Sequence, residues 1–202
     1  TSHARERASD ATGVPGIDEA QLSADFWLQR LEHPDAVLLD SALILAQNAR
    51  LLQRDESMHD LAAFPPELPA TRVRGWIQAY DATLQRTLFH EDGTPLTATD
   101  LQKLRDAIAI DTLSDRQQTR FGLVVQRAPL RAVPSGLRAF SRAGETDIDR
   151  FQESAEFPGT PVVIAHRSRD GQWLFVVSPR YAAWIPADAV AEGTRESVLG
   201  YG

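Results

Sequence analysis

Along the first 115 positions apolar residues recur at helical spacing, in segments opened by small polar residues and closed by proline or glycine. Ser23 offers an N-cap for a short helix carrying Phe26, Trp27 and Leu31, which Pro34 ends. Asp40 can cap a second helix to about Arg54, with Leu43, Ile44, Ala46, Leu51 and Leu52 on its apolar stripe. Phe64-Pro65-Pro66-Glu67-Leu68-Pro69 cannot be regular helix, because three prolines remove donors and lock the backbone. The spacing then predicts a third helix over Val73 to Leu84 and a turn around Asp92-Gly93. A fourth helix to Ile110 is opened by the capping pair Thr97 and Asp100.

After residue 115 the period changes. Short runs rich in Val, Ile, Phe and Trp, from Arg120 to Pro186, are cut by Pro-Gly, Asp-Gly and Ser-Pro, the pattern of a small barrel of antiparallel strands. The fold class expected is therefore α+β, a helical segment packed on a small barrel. Three parts are expected: an unstructured lead over 1–21, a helical segment over 22–115 and a barrel over 116–202.

Composition narrows the chemistry more than the fold. With no cysteine among 202 residues, disulfides, thiolate-bound metals and a cysteine nucleophile are excluded from this sequence. The longest apolar stretches, such as Ala36 to Ala46, fall short of the roughly 20 residues needed to cross a bilayer, so no transmembrane helix is expected. Residues 1–115 hold 19 acidic and 10 basic side chains, and residues 116–202 hold 9 and 11. A net charge of −7 argues against nucleic acid as a partner, since a phosphate backbone requires a clustered basic face.

Five histidines, His3, His33, His59, His90 and His166, lack metal-pair spacing. There is also no GxSxG elbow, no Ser-x-x-Lys pair and no phosphate-cradling loop. No catalytic residue, metal or cofactor is expected. The aromatic residues of the last strands offer more. Trp173 and Phe175, at period two, face one side of their strand and belong to the core. Tyr181 follows Ser178-Pro179-Arg180 at a loop edge, where its hydroxyl can reach a ligand, and Trp184 lies close to it in sequence.

Three stretches carry a family resemblance: Phe151-Gln152-Glu153-Ser154, Phe157 to Val162 reading FPGTPV, and Tyr181 to Pro186 reading YAAWIP. In that order they resemble the first bacterial SH3 domain of the NlpC-type cell-wall cysteine peptidases. Phe26-Trp27 and the run from Pro34 to Asn48 are similar to the helical stabilising segment of that family. The resemblance implies an SH3-like barrel whose partners are peptidoglycan stem peptides and a C-terminal cysteine peptidase domain that these residues do not contain. It also implies an exported protein of the periplasm or cell envelope.

The resemblance further implies a substrate-binding set of Glu153, Tyr181 and Trp184. In the family a glutamate and the tyrosine of a Tyr-x-Gly-Trp motif hold the free amino end of the peptide. Ala183 stands where the motif has glycine, so a turn needing positive φ would be strained there. Glu153 could instead pair with Arg150 or Arg131. The leading expectation is the non-catalytic front part of a γ-D-glutamyl-diamino acid endopeptidase, ending near Gly202 where the family passes into its next domain. The alternatives are a stand-alone SH3 module that binds wall peptide or a protein, and a hydrolase assembled from Ser or Asp with His59, His90 or His166.

Overall fold

In a computed structural model, the structure describes residues 13–201. Of the expected lead, residues 1–12 lie outside the described residues, and the remainder is ordered into turns and a short 3-10 helix, Glu19–Leu22. The chain forms two compact units, the first ending at Ala49 and the second starting at Arg50.

In the first unit, helix α1 (Ala24–Leu28) starts where Ser23 Oγ accepts the amide N–H of Asp25. It ends a turn earlier than the Pro34 break suggests. The Trp27 indole N–H donates to the carbonyl of Gln21, and the Arg30 guanidinium stacks 3.3 Å from the Phe26 ring centre. Helix α2 (Ser41–Arg54) begins as expected, with the Asp40 carboxylate accepting from Leu43 N–H at 2.8 Å. Many apolar residues of this unit, Leu28, Leu31, Val37 to Leu39 and Leu43 to Leu45 among them, are exposed.

The second unit takes in the end of α2 from Arg50, then a 3-10 turn, Leu61–Ala63, and a short strand, β1 (Glu67–Pro69). Two helices follow, α3 (Ala70–Gln78) and α4 (Asp81–Leu84), where one continuous helix was expected. No proline or glycine marks the break. It coincides with Tyr80, whose hydroxyl is tethered to the sheet. Helix α5 (Ala98–Ile108) has the expected capping box: the Thr97 hydroxyl accepts from Asp100 N–H, and the Asp100 carboxylate accepts from Thr97 N–H. Its last carbonyls are satisfied from the sheet side. Arg169 Nε donates to Asp106 O at 2.9 Å, and His166 Nε2 stands 3.0 Å from Ile108 O and 3.1 Å from Ala109 O.

The remaining strands are β2 (Arg116–Gln118), which pairs with β1, and β3 (Arg120–Val124), β4 (Ala128–Arg131), β5 (Gln152–Glu156), β6 (Pro161–Arg167), β7 (Trp173–Val177), β8 (Ala182–Pro186) and β9 (Val190–Gly193). Strands β3 to β9 make one seven-stranded sheet in the order β5-β4-β8-β7-β6-β3-β9, antiparallel at every pairing. A short helix, α6 (Arg195–Leu199), follows.

The apolar runs of the strands are continuous rather than alternating because both faces of the sheet are covered. Val162, Ile164, Leu174, Val176, Ala183 and Ile185 fill one cluster. Their alternates Val163, Ala165, Phe175, Val177 and Trp184 share another with Leu68, Val73, Ile77, Leu88, Leu104 and Ile108 of the preceding segment. Residue 115 is therefore a change of secondary structure but not a boundary of the core.

Gly122 of β3 lies where strands crowd. A Cβ there would stand 2.5 Å from Val190 Cγ1 and 3.2 Å from both Ala191 O and Ile164 Cδ1. Gly122→Ala is expected to cost about 1–3 kcal/mol through overpacking, read as a lowered midpoint in thermal unfolding. An unchanged midpoint would mean that β9 yields freely.

Candidate functional site

Glu153 owes its position to an irregularity. On β5, Ser154 pairs with Leu130 and Gln152 with Arg131, which leaves Glu153 as an extra residue in a β-bulge. A bulge re-aims the side chain it carries. The Tyr181 side is set by a tight turn: Ser178 N–H donates to Tyr181 O at 2.7 Å, and Tyr181 N–H donates to the buried Ser178 Oγ at 3.1 Å. His59 N–H braces that turn through Pro179 O at 2.9 Å.

From these two supports the side chains meet. The Tyr181 hydroxyl donates to Glu153 Oε2 at 2.9 Å, and both residues are partly buried. Burial pushes the Tyr181 phenol up to about 12, and its hydrogen bond to Glu153 and the carboxylate charge add to the shift, so it remains a donor across the physiological range. Tyr80 lies beside the pair. Its hydroxyl donates to Ala182 O at 2.7 Å, and burial, then the charge of Glu153 and the Tyr181 phenol, raises it further above the usual range.

Neither expected rival claims Glu153. The Arg131 guanidinium is 2.5 Å from Asp149 and also donates to Gln152 Oε1, Ser135 O and Leu137 O, while Arg150 Nε donates to Ser141 Oγ at 2.6 Å. Among the described residues no cation pairs with Glu153. A carboxylate held by a neutral donor and left without a counter-charge is suited to an incoming ammonium group.

Trp184 departs from the expected binding set. It is fully buried, edge-on to Phe175 at 5.4 Å and to His166 at 6.0 Å, so it has no surface to offer a ligand and is part of the core. Trp173 is partly exposed at the end of β7 and packs against the same core cluster. Ala183 shows no strain. It lies in regular strand opposite Val176, and Ala109 is the one non-glycine residue at positive φ among the described residues. Tyr80 was not singled out for the site from the sequence. Within the helix expected over Val73 to Leu84, helical spacing places Trp76, Ile77 and Tyr80 on one face, a pattern that does not distinguish core from site.

The histidines His59, His90 and His166, expected as partners of Ser or Asp in a hydrolase, lie apart in different surroundings. His166 is buried against the α5 carbonyls, and burial lowers its proton affinity. His59 is lowered by burial and then by the Arg72 charge, and packs edge-on to Trp76. His90 stands 3.6 Å from Asp100. Among the described residues no serine hydroxyl is hydrogen-bonded to any of them, and no cluster of His, Asp and Glu could hold a metal ion. Surface clefts of about 260–580 Å³ beside α3 and α5, and beside Arg131 and Arg138, are lined by other residues than Glu153 and Tyr181.

Comparison with known proteins agrees with this architecture. Residues 138–186 match the SH3 domain of the SH3b1 type. The fold is similar to that of an NlpC/P60 endopeptidase from Photobacterium damselae subsp. piscicida, with a TM-score of 0.61 and 16% identity over 80% of this chain. The chain spans 39% of that protein. No curated protein matches the sequence.

Proposed function

We propose that this chain is a non-catalytic, peptide-admitting region that works in the cell envelope beside a peptidase domain, a γ-D-glutamyl-diamino acid endopeptidase. It binds peptidoglycan stem peptides by their free amino end and limits which ends are accepted. The observation that carries this reading is the Glu153 carboxylate, oriented by the Tyr181 hydroxyl at 2.9 Å and unpaired with any cation among the described residues. The SH3b1-type domain and the fold shared with the endopeptidase support the class of ligand.

In this reading the ammonium of the terminal L-alanine sits against Glu153. Acylation of that nitrogen removes the charge and puts a carbonyl where only a donor is accommodated. The site thus measures peptide length from a fixed end, and another domain performs the cleavage. Calorimetric titration with L-Ala-γ-D-Glu and with its N-acetyl derivative tests it. The free dipeptide is expected to bind at least 10-fold more tightly, since a charge-assisted bond contributes about 1.5–3 kcal/mol. Equal affinities would refute the amine clamp.

A further inference from the structure

Every hydroxyl proton at this site already has a recipient. The Tyr181 hydroxyl donates to Glu153 Oε2, and the Tyr80 hydroxyl donates to Ala182 O, one residue along the chain from Tyr181. A phenol has one proton and two lone pairs, and an ionised carboxylate only accepts. With their protons committed, both phenols have only lone pairs left to offer a ligand. Beside them stands the second Glu153 oxygen, for which the structure shows no donor among the described residues.

We propose that Tyr80, contributed by the helical segment, completes an acceptor-only cradle with Glu153 and Tyr181, and that this cradle selects a primary ammonium by its three N–H donors as well as by its charge. The inference rests on the peptide-end reading above and adds to it a hydrogen-bond count. A primary ammonium has three donors and no acceptor, so it can satisfy a carboxylate oxygen and two phenolic oxygens at once. An amide offers one donor and brings an acceptor of its own. A quaternary nitrogen keeps the charge and offers no donor. Tyr80 acts as a positioning residue as well, because its bond to Ala182 O fixes the start of β8 next to Tyr181. The α3/α4 break at residues 79–80 thereby has a role: it brings the Tyr80 hydroxyl to the first residue of β8, next to Tyr181.

The test uses the full chain and two probes, L-Ala-γ-D-Glu and the same dipeptide trimethylated on its amino nitrogen. The Tyr80→Phe variant keeps the ring that packs on the core and deletes the hydroxyl. It is expected to weaken binding of the primary amine about 10-fold and to change binding of the trimethylated peptide by less than twofold. Losses of equal size on both probes would assign Tyr80 a merely structural role and overturn the proposal, as would no loss on either. In the Glu153→Gln background the Tyr80→Phe effect is expected to shrink, and an undiminished effect would place the hydroxyl outside the cradle. If the unsubstituted protein bound both probes equally, the charge reading would stand and the donor count would fall. If it bound neither, both would fall.

Discussion

Replacing Asp149 with alanine is expected to destabilise the second unit by about 3–5 kcal/mol, the cost of stranding one member of a buried ion pair. Arg131 and Asp149 retain only 5% and 10% of their side-chain exposure and stand 2.5 Å apart. Asp149 also accepts the amide N–H groups of Ala139 and Phe151, at 3.1 and 3.0 Å. Arg131 reaches the carbonyls of Ser135 and Leu137. The pair therefore ties down the long connection between β4 and β5, and Asp149→Ala leaves a buried guanidinium without its counter-charge and two amides without their acceptor. In a domain of this size such a loss lowers the melting temperature by roughly 10 °C. Urea unfolding should show the midpoint falling with the slope retained, and a loss under about 1 kcal/mol would contradict the assignment. The double variant Arg131→Met with Asp149→Leu is expected to recover only the part of the loss that comes from the stranded charge, because the Ala139 and Phe151 amides stay without their acceptor and the Ser135 and Leu137 carbonyls without their donor.

The second large effect is on binding. Glu153→Gln keeps an oxygen that can accept from Tyr181 but removes the charge. It is expected to lower affinity for the free-amine dipeptide by 10- to 100-fold, equivalent to about 1.5–3 kcal/mol, and to leave the N-acetyl peptide unaffected. An optical signature accompanies it. Two of the three causes that push the Tyr181 phenol up to about 12 are the hydrogen bond to Glu153 and its charge. Without the charge the phenol is expected to titrate closer to 10, the ordinary value, seen as an earlier rise of tyrosinate absorbance with pH. An unshifted titration curve with selectivity lost would mean that Glu153 acts on the peptide without being coupled to Tyr181.

Local chemistry made much of the fold legible. Asp40 and the Thr97/Asp100 box cap their helices as such residues do in isolation, and the strand segments from Arg120 to Pro186 are readable from their β-branched and aromatic runs. Elements set by distant partners were harder to read. The strand Glu67–Pro69 exists because β2 pairs with it, which no proline-rich segment announces. The break before Asp81 coincides with a hydroxyl bond to a carbonyl 102 residues away. Glu153 and Tyr181 stood out through family resemblance, whereas the bulge that brings Glu153 within 2.9 Å of Tyr181 has no local signature. Trp184, three residues past Tyr181 and inside β8, packs into the cluster shared with the helical segment, whereas Tyr181, in the turn before the strand, packs against the other cluster.

The sheet buried on both faces decides what can be cut from this protein. A fragment trimmed to residues 116–202, the span of the strands, would carry Phe121, Phe175 and Val177 into water on the side that Leu68, Val73, Ile77 and Leu104 cover. Apolar faces of that kind drive self-association. A recombinant fragment intended as a soluble probe of cell-wall peptides should therefore begin upstream of Leu61, carrying the helices along as its own solubility tag.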